Sequence, residues 1–324
     1  MRSELAASGS KRLMRDGLPA GDVDNIHEII DSMRNLLQRV TEGRILVSDG
    51  ATGTYLQAHG LEAGGCPELM NATHPDVVRR MAGEYFDAGS DLVETNSFGG
   101  SRYMLAKYDL GDRVEELNRL AAEIARSAAP DGRFVLGSIG PTGEFLEPNG
   151  TATEGEMYDA FVEQARGLAA GGVDAFCIET MSDYGEIALA IRAAKETTAL
   201  SVIATMTFDK GPRGYFTMMG VTPEAAAQRL ADAGADVVGS NCGVGIEQMI
   251  EIIAKMRSAT DRPILTHVNA GLPKIQSGEI VYPDTPDHMA GLMTQMVEAG
   301  ANIIGGCCGT GPGHVRAFCR ALNR

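Results

Sequence analysis

Three cysteine residues stand in contexts that could bring their sulfur atoms to one metal ion. Cys307 and Cys308 are adjacent in a glycine-rich run, and Cys242 lies far upstream. Neighbouring residues on a strand point to opposite faces, so Cys307 and Cys308 can share an ion only where the strand has ended and the backbone turns. The flanking glycines permit that turn. Zinc with three protein ligands and one open position is typical of a catalytic site, so the sequence predicts a metal centre that activates a substrate.

The composition narrows the possible partners and compartment. The 324-residue chain carries 43 acidic and 28 basic residues, a net charge of −15, and no long basic run. A polyanion would be repelled over most of such a surface, so we expect no nucleic-acid partner. No stretch reaches the roughly 18 consecutive apolar residues of a membrane span, and residues 1–22 lack the apolar core of a signal peptide. We therefore expect a cytoplasmic protein with no membrane partner, whose six cysteines are thiols and not a disulfide framework.

Short β-branched runs alternate with longer alanine-rich amphipathic stretches, which indicates β/α units around a parallel sheet. The predicted strands are Ile45–Ser48, Leu92–Thr95, Phe134–Ser138, Ala175–Glu179, Ser201–Thr207, Val237–Ser240, Ile264–Val268 and Asn302–Gly305. The predicted helices are 75–88, 113–128, 155–170, 184–197, 222–233, 246–259, 286–299 and 312–322. Eight units are the closure number of the (β/α)8 TIM barrel, which is the predicted fold, with a doubly wound open sheet as the alternative.

The chain is predicted to have a flexible N-terminal arm and one large domain. Residues 1–22 are polar and show little periodicity, whereas apolar residues recur at helical spacing over 25–40. We expect an N-terminal helical extension that packs against the barrel base, within a single domain spanning 23–324. Several predicted helices end in a glycine before the next strand, where a left-handed residue would return the chain to the sheet.

Polar residues fall where the predicted strands end, which is where the chemistry of such barrels lies. In chain order they are Asp49 and Gly50, Glu94 and Thr95, Glu179, Cys242, Asn269, and the pair Cys307 and Cys308. Strands six and eight end close together in a closed barrel, so their cysteines should meet at one site. Asn269 follows the strand between them and could supply an oxygen as a labile fourth ligand.

These residues also have simpler structural interpretations. The adjacent cysteines could form a vicinal disulfide or pack in the interior, which would leave the upstream cysteine unexplained. Asp49 could bond the backbone of its own turn, Glu179 could form an ion pair at the rim, and Asn269 could be a turn residue. His267, on a buried strand, is more typical of a core histidine than of a ligand.

Several motifs resemble the zinc-dependent homocysteine S-methyltransferase family over residues 44–322. They are Asp49-Gly50-Ala51-Thr52-Gly53-Thr54, Pro67-Glu68-Leu69 through Asn71 with Thr73-His74-Pro75, Glu94-Thr95-Asn96-Ser97-Phe98-Gly99, Ile139-Gly140-Pro141-Thr142-Gly143, Glu179-Thr180, Met206-Thr207-Phe208, Asn241-Cys242, Asn269-Ala270-Gly271 and Gly305-Gly306-Cys307-Cys308-Gly309-Thr310. Within that family they are most similar to the homocysteine-binding module of cobalamin-dependent methionine synthase.

The resemblance implies a ligand set, a substrate and a partner. It implies that Cys242, Cys307 and Cys308 hold Zn²⁺, with Asn269 in the open position until substrate arrives. Asp49 and Glu179 would engage the amino group of homocysteine, within a binding site that we extend to the neighbouring strand ends, Gly50, Glu94 and Thr95. The related synthases carry folate, corrinoid and reactivation modules, and we expect none of these within the 324 residues of this sequence. The methyl group would then come from a separate corrinoid protein, with cobalamin acting through that partner.

Charge explains why such a centre suits methyl transfer to sulfur. A thiol is mostly protonated at neutral pH, whereas alkyl transfer needs the thiolate, which zinc favours by displacing the proton. Three cysteine thiolates bound to one Zn²⁺ have a net charge of −1. The sulfur of a fourth, substrate thiolate therefore keeps much of its electron density.

The sequence leaves other functions open. The runner-up donors are onium compounds such as betaine or S-methylmethionine, although a quaternary ammonium site usually presents aromatic faces and only 5% of these residues are aromatic. A non-catalytic subunit that binds zinc and homocysteine is the alternative outside enzymes. A zinc barrel acting on carbonyl substrates is a third possibility, but no lysine or histidine base stands out among the rim motifs.

Overall fold

Parallel strands joined by outer helices form the centre of the molecule. The computed structural model describes residues 36–276 and 279–324. The strands are β1 (Leu46–Val47), β2 (Leu92–Glu94), β3 (Phe134–Ile139), β4 (Ala175–Met181), β5 (Ser201–Met206), β6 (Asp209–Gly211), β7 (Gly214–Phe216), β8 (Val237–Asn241), β9 (Ile264–Val268), β10 (Lys274–Gln276), β11 (Glu279–Val281) and β12 (Ile303–Gly306). The helices are α1 (36–41), α2 (Thr52–Ala58), α3 (Met70–Thr73), α4 (Pro75–Ala88), α5 (Arg102–Ala106), α6 (Val114–Ala128), α7 (Glu154–Ala170), α8 (Tyr184–Thr197), α9 (Pro223–Asp232), α10 (Ile246–Arg257), α11 (Pro286–Ala290), α12 (Met293–Glu298) and α13 (Pro312–Ala321).

Eight of these strands make one sheet that curves into a nearly closed barrel. Its order is β1-β12-β9-β8-β5-β4-β3-β2, and each neighbouring pair is parallel. β6 and β7 form an antiparallel hairpin after β5, and β10 and β11 form another after β9. The predicted (β/α)8 barrel is confirmed, because eight parallel strands alternate with helices that cover the outside of the sheet.

Asp91, just before β2, joins the two ends of the sheet. Its Oδ2 accepts a hydrogen bond from the backbone N–H of Val47 at 2.9 Å, and its own N–H donates to the Val47 carbonyl at 2.6 Å. The carboxylate is 2% exposed and pairs with Arg133 and Arg324. The seam therefore depends on a buried charge held by two cations.

Two apolar layers position the strands. One lies between the sheet and its outer helices, and the other fills the barrel at the amino ends of the strands. Leu36 and Val40 of α1 belong to that inner layer, next to Leu46 and Ile303, so α1 closes the base of the barrel. The described residues contain no helix with the length and apolarity needed to cross a bilayer.

Local sequence signals begin and end the helices. Thr153 caps α7: its hydroxyl group accepts from Glu156 N at 3.2 Å, while the Glu156 carboxylate accepts from Thr153 N at 3.0 Å. Gly89 ends α4 with φ 112°, and a Cβ there would lie 2.7 Å from Sγ of Cys319. The predicted glycine stops before three later strands also have positive φ, at Gly172, Gly234 and Gly300.

The structure differs from the sequence prediction in the connections. The helix predicted over 286–299 is two helices, α11 and α12, because the chain leaves the helix at Gly291 and Leu292. The short helices α2, α3 and α5 and both hairpins were not predicted. Of the N-terminal helix predicted over 25–40, the part from residue 36 is helical, while the remainder and the arm at 1–22 lie outside the described residues.

Replacing Asp91 with alanine should destabilise the barrel, because Arg133 and Arg324 would lose their shared partner at the seam. We expect the free energy of unfolding in urea to fall by about 3 kcal/mol, at the lower end for a broken buried ion pair since both arginines are partly exposed. Asp76→Ala is the matched control, because its ion pair with Arg79 lies at the surface. Equal stability of the two variants would contradict the role of Asp91.

Candidate active site

The three predicted cysteines meet at the carboxyl end of the barrel. Cys242 follows β8, the other two follow β12, and β9 lies between these strands in the sheet. The sulfur atoms of Cys242, Cys307 and Cys308 all lie within 4.8 Å of one another. Residues far apart in sequence therefore form one cluster of soft ligand atoms.

The backbone after β12 turns so that both adjacent cysteines reach the cluster. Cys307 N donates to the carbonyl of Val268 at 2.8 Å, and the Cys308 carbonyl accepts from Ala270 N at 2.9 Å. The hydroxyl group of Thr310 donates to the Cys307 carbonyl at 2.7 Å and closes the turn. A Cβ on Gly306 would lie 2.1 Å from that hydroxyl oxygen, so only glycine fits there.

Cys242 is held in a strained backbone conformation. Its φ is 60°, in the left-handed region that residues other than glycine rarely adopt, and its N–H donates to the carbonyl of His267 at 3.0 Å. Thr180, after the buried Glu179, has φ 61°. Such strain costs on the order of 1–3 kcal/mol per residue and is typical of functional sites.

The three thiols are electrostatically unequal. Hydrogen bonds from Cys307 and then Cys308 lower the pKa of Cys242 far below that of an ordinary thiol. The pKa of Cys307 is raised well above its usual value, mainly because it donates to Cys242. The surroundings of the cluster therefore favour the ionised form of Cys242, which gives the cluster negative charge to offer a cation.

The donor set fits zinc. Three sulfur ligands with one further N or O ligand are a common tetrahedral zinc environment. Asn269 is 4% exposed, and its side chain forms a hydrogen bond that contributes to the low pKa of Cys242. Its Oδ1 is buried and has no hydrogen-bond partner among the described residues. An orphaned amide oxygen on a side chain that contacts Cys242 is the atom that a fourth coordination position would use.

A cavity of about 280 Å³ opens next to the sulfur cluster. Its walls include four further residues that the sequence places at the site, Gly50, Glu94, Thr95 and Glu179, together with the three cysteines. Among the described residues that line it, no lysine or arginine is present. Asp49 and Asn269 do not belong to its lining.

Three carboxylates in the cavity wall are buried, and no lysine or arginine among the described residues pairs with them. Glu68 accepts from Gly99 N at 2.7 Å, and the other two are the acids that the sequence places at the site. Glu179 accepts hydrogen bonds from Ser138 Oγ at 2.6 Å and from Asn241 Nδ2 at 3.1 Å, yet burial raises its pKa to about 7. Burial, followed by the charges of Glu179 and Asp49, raises the pKa of Glu94 well above its usual value. Glu94 Oε1 has no hydrogen-bond partner within the described chain.

Asp49 lies behind the cavity wall. Its carboxylate accepts from Glu94 N at 2.7 Å and from Ser48 Oγ at 3.0 Å, and burial raises its pKa to about 7. In this structure it therefore braces the backbone of Glu94 across the β1–β2 seam. Contact between Asp49 and a substrate stays a prediction.

Sequence reasoning gave no role to the residues that hold Glu179, or to His267. Asn241 connects three strands, since its Oδ1 accepts from Thr180 N and Thr205 Oγ1 while its Nδ2 donates to Glu179. The position of Asn241 beside Cys242 at a strand end was the signal available in the sequence.

His267 lines the cavity with its Nδ1 3.6 Å from Glu94 Oε1, and burial lowers its pKa to about 4. Neither ring nitrogen has a hydrogen-bond partner among the residues described.

This geometry defines a general class of protein: a (β/α)8 barrel that carries, at its rim, a cluster of cysteine sulfurs beside a cavity with buried carboxylates in its wall. Residues 46–322 match the family model for homocysteine S-methyltransferase. The chain belongs to this family, whose enzymes methylate the sulfur of homocysteine, and the predicted resemblance is confirmed.

Relatives in two mycobacteria are methionine synthases. The chain is 35% identical over 303 residues to that of Mycobacterium tuberculosis, a match covering 87% of this chain and 25% of that protein. It is 34% identical over 307 residues to that of Mycobacterium leprae, a match covering 90% of this chain and 25% of that protein. The chain therefore spans about a quarter of the length of these relatives.

A solved structure supports the fold. The metallated homocysteine methyltransferase MmuM from Escherichia coli superposes with a TM-score of 0.72, covering 89% of this chain and 98% of that one. The sequences are 22% identical, so the likeness concerns the barrel itself.

Replacing Cys307 with alanine should abolish zinc retention, because it removes one sulfur ligand and a thiol that donates to Cys242. Zinc per chain after dialysis, measured by atomic emission, should fall from about one to near zero, and homocysteine methylation should fall with it. Cys319→Ala removes a thiol on α13 outside the cluster and should retain the metal. An unchanged zinc content in Cys307→Ala would exclude this residue as a ligand.

Proposed function

We propose that this chain transfers a methyl group to the thiol sulfur of homocysteine and so forms methionine. The observation that carries the proposal is the convergence of three cysteine sulfurs at the wall of a cavity that also contains buried carboxylates. One end of the cavity suits a soft metal and a thiol, and the other suits an ammonium group. Homocysteine carries both groups on one short chain.

Cys242, Cys307 and Cys308 would hold zinc, with Asn269 Oδ1 as a labile fourth ligand. When bound, zinc would lower the pKa of the substrate thiol and keep it a nucleophilic thiolate at neutral pH. The protein chain fixes where that sulfur lies, because strands β8 and β12 and the turn after β12 hold the cysteines.

Glu94 and Glu179 would bind the amino group of the substrate. Both carboxylates are buried in the cavity wall, and the lining residues that the structure describes bring them no lysine or arginine. An ammonium group would supply the missing positive charge and stabilise the ionised carboxylates. Ser138 and Asn241 orient Glu179, while Asp49 supports Glu94 from behind, which fixes the substrate at its amino end.

A methylated corrinoid protein supplied as a separate partner or module is the donor we favour. Phe98 is the one aromatic residue among the described cavity-lining residues, and it is 38% exposed. An onium donor such as betaine or S-methylmethionine is usually enclosed by several aromatic faces. The relatives' additional length also leaves room for donor-carrying modules outside the region that matches this chain. We further propose that residues 23–324 form the homocysteine-binding domain and that the protein acts in the cytoplasm.

A donor screen tests the proposed reaction. Zinc-loaded protein and homocysteine should form methionine with a methylated corrinoid protein, and much less with betaine or S-methylmethionine, as measured by mass spectrometry. Preferential turnover with an onium donor would refute the donor assignment. Binding of zinc and homocysteine without transfer from any donor would instead identify a binding subunit.

Glu179→Gln should weaken homocysteine binding and change its pH dependence. In the free protein the pKa of Glu179 is about 7, so kcat/KM should fall by up to about tenfold per pH unit below 7 as the carboxylate becomes protonated. The variant cannot ionise, so we expect kcat/KM to be at least about tenfold lower at pH 8 and its decline below pH 7 to be smaller.

Glu186→Gln is the matched control for this titration. Glu186 is also a buried acid, but it accepts from Thr142 and lies outside the cavity lining. Its variant should keep the wild-type profile. If Glu179→Gln also kept the wild-type profile and kcat/KM, Glu179 would not bind the amino group.

A further inference from the structure

Three polar side chains other than the cysteines converge in the cavity wall. The ligand atoms of Glu94, Glu179 and His267 all lie within 4.8 Å of one another. All three residues line the cavity, and they are 8%, 7% and 1% exposed, respectively. They belong to β2, β4 and β9, so the barrel itself brings them together. This acid–histidine group shares no residue with the sulfur cluster.

Two members of the acid–histidine group carry polar atoms that the described chain does not satisfy. Glu94 Oε1 and both ring nitrogens of His267 are buried without a hydrogen-bond partner among the residues that the structure describes. His267 Nδ1 and Glu94 Oε1 are 3.6 Å apart, which is too far for a hydrogen bond between them. Unpaired buried polar atoms cost free energy, and a cation bound between the two side chains would recover it.

Neighbouring residues hold these side chains in place. Ser138 Oγ donates to Glu179 Oε1 at 2.6 Å, and Asn241 Nδ2 donates to Glu179 Oε2 at 3.1 Å. Each carboxylate oxygen has a second lone pair, so Glu179 can still bind a cation. The His267 ring packs against β12, where a Cβ on Gly305 would lie 2.7 Å from its Cδ2. Contacts of this kind orient the ligands of metal sites.

We propose that Glu94, Glu179 and His267 form a second metal site, which binds a divalent cation such as Mn²⁺ when substrate is absent. Two carboxylates and an imidazole suit such an ion, whereas the cysteine sulfurs suit zinc. The two positive charges of the ion would balance the two carboxylates, for which the described cavity lining provides no lysine or arginine.

The cation and the substrate would compete for the same carboxylates, because Glu94 and Glu179 would also hold the amino group of homocysteine. This competition rests on the proposed function, whereas the metal site itself does not. Since the ion must leave when substrate enters, it is held more loosely than zinc at the sulfur cluster, and dialysis should remove it. Free divalent cation would therefore raise KM for homocysteine without changing kcat.

Another group of possible ligands lies at the surface. The ligand atoms of Glu247, Asp284 and His288 also lie within 4.8 Å of one another. His288 Nε2 already pairs with Glu247 Oε1 at 3.1 Å, and both of these residues are exposed. Water satisfies exposed polar groups, so this surface group needs no ion. It provides a control for weak binding of metal outside the cavity.

Manganese titration of the zinc-loaded protein tests the second site. Mn²⁺ binds a given site more weakly than zinc does, so it should leave zinc on the cysteines. The electron paramagnetic resonance signal of free Mn²⁺ then reports how much is bound. Wild-type protein should bind about one Mn²⁺ per chain in the acid–histidine group. Glu94→Gln and His267→Leu each remove one ligand and should weaken binding at least about tenfold.

Glu68→Gln is the matched control, because Glu68 is a buried carboxylate of the cavity wall outside the acid–histidine group. Glu68→Gln and the surface variant His288→Ala should both bind Mn²⁺ nearly as tightly as the wild type. Homocysteine at ten times its Kd should weaken Mn²⁺ binding to the wild type about tenfold.

Three results would count against the second site. No Mn²⁺ binding to the wild type, equal affinity in Glu94→Gln and His267→Leu, or a loss confined to His288→Ala would overturn it. Mn²⁺ binding that homocysteine leaves unchanged would overturn the competition. None of these measurements needs a methyl donor, so failure of the proposed methyl transfer would appear separately, as absence of methionine.

Discussion

The candidate site depends on one turn of backbone, the one that ends β12. A regular strand would send Cys307 and Cys308 to opposite faces, and no metal could then reach both sulfurs. The turn forms because Gly306 leaves room for Thr310, whose hydroxyl group binds the Cys307 carbonyl, and because Gly306 N donates to the Asp49 carbonyl at 2.7 Å. The same turn therefore ties β12 to β1 and, through Cys307 N and the Val268 carbonyl, to β9.

The site concentrates negative charge where the protein offers little to balance it. The cluster of three cysteine sulfurs and the carboxyl groups of Asp49, Glu94 and Glu179 lie close together, and burial raises the pKa of all three acids. This arrangement costs stability in the free protein, as does the left-handed backbone at Cys242. A divalent metal at one end and an ammonium group at the other would offset both repulsions. Binding would thereby be selective for a ligand set with these two cations.

Much of the fold could be predicted because buried parallel strands are continuous apolar runs, and all eight predicted strands lie within two residues of the observed bounds at either end. The sulfur cluster and cavity-wall acids could be located because they stand at strand ends. The short helices and hairpins could not be predicted, because they form in loops through tertiary contacts, which leave no periodic pattern in the sequence. The position of Asp49 behind Glu94 depends on how distant segments pack, which sequence spacing does not encode.

X-ray absorption at the zinc edge would test the central claim most directly. Zinc-loaded protein should show three sulfur ligands at about 2.3 Å with one lighter ligand, and addition of homocysteine should convert this to four sulfur ligands. A spectrum with fewer than three sulfurs, or one that homocysteine leaves unchanged, would contradict the account of how this chain selects its substrate.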